Sequence, residues 1–452
     1  MKEQLLNKNQ STMQNFKYLL IALILGITSN YAQETEILTK NKAVRLALEN
    51  NYGIKMANNS VEIAKNNASI YNSDYLPKIS VNAAANYDSK DSNITFQDAT
   101  ETEINNAEQE TYNASIGLNY TLFDGFGRKY NYQKLIETHN LSELEAKAVI
   151  ENSLLQLFYI YYEVARLTEN KKNISQSLTI SKNRLKRSQY AYKYGQSTKL
   201  DVLNAEVDVN NDSINFINSQ RLLANSKRDL NVLLGRSSQT NFDVDTNVNF
   251  KLTFDIEKLL EKAKAYNIDI QKVNKNIKLS DFDIKINKSN YLPNLTFSSS
   301  YGINKYNNDV TFTYANQLSK GLNAGLNLRW NVFDGGSTKT RVANAKISVD
   351  NLKIQKKQAL NQLERDVANA LEVYNNSIFI LSSEEKNVET NKRNFDRTLY
   401  TFKLGQITSI EFRQAQVNLL NAVSNLNTAK FDAKKAELEL LKLTGDLISR
   451  SF

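Results

Sequence analysis

The chain has 452 residues, 57 Lys and Arg against 48 Asp and Glu, a formal charge of +9, no Cys and one His. Without Cys there is no disulfide framework, thiolate metal site or thiol nucleophile, and the lone His139 has no second imidazole with which to share a metal. The excess charge is mild for this length and forms no basic patch with interleaved aromatics, which argues against a nucleic-acid partner.

Residues 18–27 (YLLIALILGI) form an apolar run behind Lys17, too short to span a bilayer. Residues 1–32 are read as a secretory signal peptide, with Asn30-Tyr31-Ala32 a loose cleavage site, Met13 an alternative start and a membrane anchor the competing reading. No later run of 18 apolar residues exists, so no transmembrane helix is predicted. The chain holds only two prolines and 14 glycines, which leaves long stretches free of helix breakers.

Those two prolines mark an internal repeat. SDYLP at 73–77 returns as SNYLP at 289–293, placing Pro77 and Pro293 at matched positions. LFDG at 122–125 returns as VFDG at 332–335, which matches Phe123, Asp124 and Gly125 with Phe333, Asp334 and Gly335. YGQST (Tyr194, Gly195, Gln196, Ser197, Thr198) returns as LGQIT (Leu404, Gly405, Gln406, Ile407, Thr408), and Gly235 returns as Gly445. Four landmarks in one order mean a duplicated unit of roughly 200 residues, far longer than a solenoid repeat. Repeat 1 is assigned to 33–236, a linker to 237–267 and repeat 2 to 268–452. The offset falls from 216 at the prolines to 210 at the later landmarks, so the segment between them is predicted to contain a loop that tolerates shortening.

Within each repeat the period switches. Ile79, Val81, Ala83, Ala85 and Tyr87 alternate with polar or small neighbours, as do Tyr112, Ala114, Ile116, Leu118, Tyr120 and Leu122. In the second copy Leu322, Ala324, Leu326, Leu328, Trp330 and Val332 alternate likewise. Period two over about ten residues predicts strands with one apolar face, of the length a membrane barrel needs; a soluble sandwich is the alternative. The hairpins are placed at about 78–122 and 294–333. Residues 88–111, with seven acids against Lys90, are predicted to form an external loop.

After each FDG comes a proline-free helical stretch. Ile150, Leu154, Leu157, Tyr161 and Val164 step by four and three, as do Leu360, Leu363, Val367, Ala370 and Tyr374. A long helix is predicted from about 128 to 194. Beyond the YGQST turn a return helix runs from about 200 to 234, with Leu200, Leu203, Val207, Ile214 and Ile217 on one face.

Four strands cannot close a barrel, and an open sheet edge cannot sit in lipid. Three chains would supply twelve strands in a cyclic ring, with the helices continuing it as a tube in the aqueous phase. The predicted fold is therefore a mixed α and β membrane protein: a trimeric twelve-stranded β-barrel continued by a long α-helical barrel. A duct of this kind needs no cofactor and no metal. No catalytic constellation is visible; Glu384-Glu385 reads as solvated helix charge and His139 as a surface residue.

The order helix, SxYLP strand, strand FDG, long helix, GQxT turn and helix, all twice, resembles the TolC family of outer-membrane efflux channels. The resemblance covers roughly 34–447. It implies an outer-membrane exit duct with a long periplasmic portion, serving tripartite efflux or type I-like secretion. Its expected partners are two further copies, outer-membrane lipid, a periplasmic adaptor and an inner-membrane transporter, and its cargo small molecules or polypeptides. An equatorial belt is expected around 237–267. The resemblance further implies that the tips at 194–198 and 404–408 meet the adaptor, although glycine helix ends with matched bases (Lys182/Lys392, Arg187/Arg397, Lys193/Lys403) also suit simple C-capping. Asp201 and Glu411, six residues past each tip glycine, are the implied pore-gate acids, although both also complete capping boxes. Gln414 and Ile407 depart from the family pattern where a further gate acid and a bracing Arg can occur. A trimeric coiled-coil adhesin with a β-barrel anchor is the alternative, but that class groups its four strands at the C-terminus.

Overall fold

The computed structural model describes residues 36–250, 253–309 and 315–448. The signal segment 1–32 lies outside them. Repeat 1 contains β1 (Glu36–Leu38), α1 (Lys40–Asn50), α2 (Tyr52–Asn67), β2 (Lys78–Thr95), β3 (Glu101–Phe123), α3 (Gly127–Lys193) and α4 (Lys199–Leu233). After β4 (Phe242–Val244) the plan recurs as α5 (Ile256–Tyr266), α6 (Ile268–Ser289), β5 (Asn294–Asn308), β6 (Asn316–Arg329), α7 (Ser337–Lys403) and α8 (Ser409–Leu443). The matched long helices are equal in length, 67 residues in α3 and α7 and 35 in α4 and α8. At 1.5 Å per residue α3 and α7 each span about 100 Å.

The four long strands form one antiparallel sheet in the order β2-β3-β5-β6. Its register brings the apolar positions of all four strands onto one face, in rows such as Ile79–Leu118–Ser299–Ala324 and Val81–Ile116–Tyr301–Leu322. Asn, Ser, Thr and Gly occupy most of the other face. Among the described residues β2 and β6 are the two free edges, and they run in opposite directions.

The sheet differs from expectation in two places. Residues 88–111 are not a loop: β2 continues to Thr95 and β3 starts at Glu101, so the acidic segment is a ribbon closed by a short turn in which Phe96 N donates to Thr100 O (2.8 Å). Cross-strand pairing satisfies the backbone there whatever the side-chain charge, with one register shift between Lys90 and Ser92. Conversely, β6 ends at Arg329, so Trp330 and Val332 lie beyond it. Edge strand β6 has no outer neighbour to extend its ladder, and the Trp330 indole instead donates to Tyr291 O (3.1 Å).

The main core sits at mid-height of the long helices. Leu154, Leu157, Phe158, Tyr161 and Val164 of α3 pack with Leu230 of α4, Leu38 of β1, Phe242 of β4 and Phe431 and Leu438 of α8. Tyr161 ties the layers together: its hydroxyl donates to Leu38 O (2.9 Å) and accepts from Asp245 N (3.1 Å). Lysines from two helices bind β4 and the segment after it, with Lys227 of α4 and Lys430 and Lys434 of α8 donating to the carbonyls of Phe242, Thr246 and Asn249. Leu363, Val367 and Tyr374 are buried on α7 in the same way. The apolar stripe of α4 behaves differently. Leu200, Leu203, Val207, Ile214 and Ile217 stay exposed, and the buried positions of α4 include Val202, Ala205, Asp212, Ser219, Leu223 and Ser226 instead. Small side chains allow close helix approach and leave the bulky stripe facing away.

Candidate functional site

Two kinds of turn punctuate each repeat, and local chemistry explains both. At the junctions of helix and strand, Pro77 and Pro293 stand immediately before β2 and β5, where a missing N–H costs no ladder bond. The Asp of each FDG caps the helix that follows: Asp124 accepts from Arg128 N (2.7 Å), and Asp334 accepts from Thr338 N (2.8 Å) and Thr338 Oγ (2.6 Å). Phe123 closes β3, whereas Phe333 lies past the end of β6 and is highly exposed. Gly125 and Gly335 both have φ near +68°, yet only Gly125 is crowded: a Cβ there would sit 2.4 Å from Ser289 O at the end of α6. Gly125→Ala is therefore expected to cost roughly 2–4 kcal/mol, combining left-handed strain with a backbone clash, and Gly335→Ala only about 1 kcal/mol of strain. Thermal melting of the two variants checks this; equal losses would show that the α3–α6 contact is not responsible.

At the helix-to-helix tips, Gly195 (φ +71°) and Gly405 (φ +74°) end α3 and α7 in matched Schellman turns. Gln196 N donates to Ala191 O (2.8 Å) and Gln406 N to Thr401 O (3.1 Å). The same bonds recur at Gly235 and Gly445, so all four landmark glycines end helices in one way. Tyr194 and Leu404 are exposed beside the tip glycines, and open space surrounds both glycines. The return helices start in capping boxes. Asp201 N donates to Thr198 Oγ (3.2 Å), while the Asp201 carboxylate accepts from Thr198 N, Thr198 Oγ and Ser197 Oγ. Glu411 and Thr408 form the same reciprocal pair. Hydrogen bonds from Ser197 and Thr198 hold the Asp201 carboxyl below the usual range, and those from Thr408 do so for Glu411. Both caps are thus in place above the ordinary carboxylate range and are lost as pH falls through the depressed values. No hydrogen bond or ion pair joins Asp201 to Glu411 among the described residues. Gln414 bonds to Asn418 on its own helix (2.8 Å), and Ile407 stands in the turn itself.

Sequence reasoning missed the most connected polar cluster near these tips. Arg413 of α8 makes a bidentate bond to Asp212 of α4 (2.8 and 2.7 Å) and lies 3.4 Å from Asp208. Asp208 pairs with Arg184 of α3, which also donates to Ser409 O (3.3 Å). Ser181 Oγ donates to Asp212 (2.6 Å), and Gln416 Nε2 donates to Ser177 O (2.8 Å) and Ser181 Oγ (3.0 Å). Arg187 adds a crossing bond to Lys403 O (2.9 Å) while stacked 4.9 Å over Phe402. Burial alone would raise the Asp212 carboxyl, but the bonds from Arg413 and Ser181 and the two guanidinium charges outweigh it and leave it lowered. This lock joins the α3–α4 hairpin to the α7–α8 hairpin. Its signal in the sequence is a break in the repeat: at the 210-residue offset Arg184, Asp208 and Asp212 face Asn394, Asn418 and Ala422, and Arg413 faces Leu203.

Comparison with known proteins agrees with this architecture. The outer membrane efflux protein family model matches residues 43–236 and 259–446. The chain is 23% identical over 378 residues to the outer membrane protein TolC of Vibrio cholerae, covering 82% of each. It is 20% identical over 414 residues to the toluene efflux pump outer membrane protein TtgC of Pseudomonas putida, covering 89% of this chain and 82% of the relative. The fold superposes on the CmeC outer membrane channel of Campylobacter jejuni with a TM-score of 0.73 at 17% identity, over 90% of this chain and 86% of that one.

Proposed function

The chain belongs to the outer membrane efflux protein family, a family of transport conduits rather than enzymes, and from that premise we propose that three copies close into a single exit duct. The carrying observation is the four-stranded sheet with two free, oppositely directed edges. Joining β6 of one copy to β2 of the next keeps every neighbour antiparallel, and three copies give a closed ring of twelve strands, which removes all edges from lipid. The apolar face then meets the bilayer and the Asn/Ser/Gly face lines the lumen. The exposed α4 stripe supports the same assembly, since a neighbouring copy would cover it.

Residues 1–32 would be removed on export. Residues 237–267, which run from the end of α4 through β4 and include α5, the first helix of the second repeat, would form much of the equatorial belt. The helical barrel would receive cargo, small molecules or polypeptides, from an inner-membrane transporter through a periplasmic adaptor that meets the tips. The relative named for a toluene pump favours small molecules. The Arg413–Asp212 lock would hold the two hairpins of each copy together at the periplasmic end.

Two experiments follow. The purified chain is expected to be a detergent-stable trimer, and an epitope inserted at Ala99, in the hairpin turn, should be labelled on intact cells. A stable monomer, or labelling only after the outer membrane is permeabilised, overturns the duct. For the gate, Asp201→Asn combined with Glu411→Gln preserves most capping geometry but removes two carboxylates from each copy. If these acids line the narrow end, single-channel cation selectivity falls sharply, because a ring of fixed charge sets the local ion concentration. Unchanged selectivity would leave them as helix caps alone.

A further inference from the structure

Two lysines interrupt the apolar face of the sheet at its outer end. Lys305 of β5 is paired with Leu318 of β6, and Lys320 is paired with Ile303. The two lysines are thus diagonal neighbours on adjacent strands and project from the apolar face, with Cβ atoms on the order of 7 Å apart. Both are exposed, and neither has an ion-pair or hydrogen-bond partner among the described residues.

Their height on the sheet is informative. From the row of Leu295 and Leu328 to the row of Lys305 and Leu318, the face climbs five two-residue steps. At about 3.4 Å per residue and a tilt near 40°, that rise is about 26 Å, close to the height of the apolar band of outer-membrane barrels. Tyr112 stands directly opposite Lys305 across β3 and β5. One row further out come Tyr87 and Glu110, which are directly paired, and then Glu108. Glu110 already accepts from Tyr112 and from Asn307 (3.1 Å), so the nearest carboxylate has bonds of its own. Unpaired ammonium groups beside tyrosine, where the apolar band ends and the acidic ribbon begins, mark the level at which lipid phosphates lie.

We propose that Lys305 and Lys320 form a binding site on the outer surface of the barrel for the phosphate of an outer-leaflet lipid headgroup, one per copy. The proposal rests on the barrel assembly above, which turns this face to the bilayer. The chain of an occupant lipid would lie along Leu322, Tyr301 and Ile303, and its phosphate would bridge the two ammonium groups. The carboxylates above repel an anion placed any higher, so the phosphate is confined to one level.

The test uses the detergent-purified full-length trimer, with native mass spectrometry measuring retention of bisphosphorylated lipid A against the same lipid stripped of phosphate. The wild type is expected to retain the phosphorylated form about tenfold or more tightly, the scale of two surface lysines acting on one anion. Lys305→Gln with Lys320→Gln should abolish that preference, and Lys305→Arg with Lys320→Arg should keep it. Lys78→Gln, on the opposite face of the sheet, should change nothing. A chain that forms no trimer and enters no bilayer overturns the duct. A normal inserted trimer that holds both lipids alike, or a Gln variant that keeps the preference, overturns the headgroup site alone.

Discussion

Replacing Arg413 with alanine is expected to open the helical end of the channel, raising single-channel conductance several-fold and lowering the melting temperature. Arg413 is the only residue of α8 that bonds to both Asp208 and Asp212 of α4 among the described contacts, and its side chain is 19% exposed against 4% for Asp212. Removing the guanidinium strands a buried carboxylate, and breaking a pair of this kind costs roughly 3–5 kcal/mol. As a hydrogen-bond partner Asp212 would retain only the Ser181 hydroxyl, with Arg184 acting through its charge alone, so parting of the two hairpins would relieve it by admitting water. The lock also has a definite pH dependence. The Asp212 carboxyl is lowered, so its contribution is complete above the ordinary carboxylate range and is lost as pH falls through the depressed value. Wild-type conductance should therefore rise only in acid, whereas Arg413→Ala should be open throughout. In a double-mutant cycle, Arg413→Ala and Asp212→Ala should couple by about 1.5 kcal/mol or more. Wild-type conductance and melting temperature in Arg413→Ala would end the case for a lock.

The lock also shows which features the sequence carries openly and which it does not. The tip glycines, capping boxes and FDG caps are local: each depends on a few consecutive residues, so the motif and the geometry coincide. Asp201 and Thr198 can be paired from spacing alone because one helical turn brings them together. The matched lengths of α3 and α7 follow similarly from landmarks at a constant offset. Arg184, Asp208, Asp212 and Arg413 lie on three helices and up to 229 positions apart, so no spacing rule connects them. In a chain rich in Asn, Lys and Ser each passes for a solvated charge. Their common property is that each lacks its counterpart in the other repeat, a difference that would have singled them out. Strand ends were obscured for another reason. Alternation describes which face a side chain takes but not how far a ladder extends. Pairing carried β2 and β3 through an acidic segment, while the free edge at β6 stopped short of Trp330. The stripe from Leu200 to Ile217 was periodic, yet periodicity does not say whether its partner belongs to the same chain.

The second large effect is expected at the tips. Gly195→Trp combined with Gly405→Trp should abolish export while leaving trimer yield near normal. Both glycines have positive φ, so any side chain there costs about 1–2 kcal/mol, but it does so at an exposed helix end far from the main core. Among the described residues nothing beyond the chain neighbours lies within 4 Å of where either Cβ would stand, so the indoles would project from the tip without displacing the fold. They would project beside Tyr194 and Leu404, on the surface proposed to receive the adaptor, and a rigid bulky ring there prevents close approach of a partner helix. The strain must be separated from the bulk. Gly195→Ala with Gly405→Ala carries the same φ penalty and almost no added volume, so export through that variant should stay close to wild type. If the tips only cap helices, the Trp and Ala variants will behave alike. If they dock an adaptor, export separates the two variants while melting temperature does not. Full export by the Trp variant would show that the partner is received elsewhere on the helical barrel, and Lys193 and Lys403, in the last turns of α3 and α7, would then serve only those helix ends.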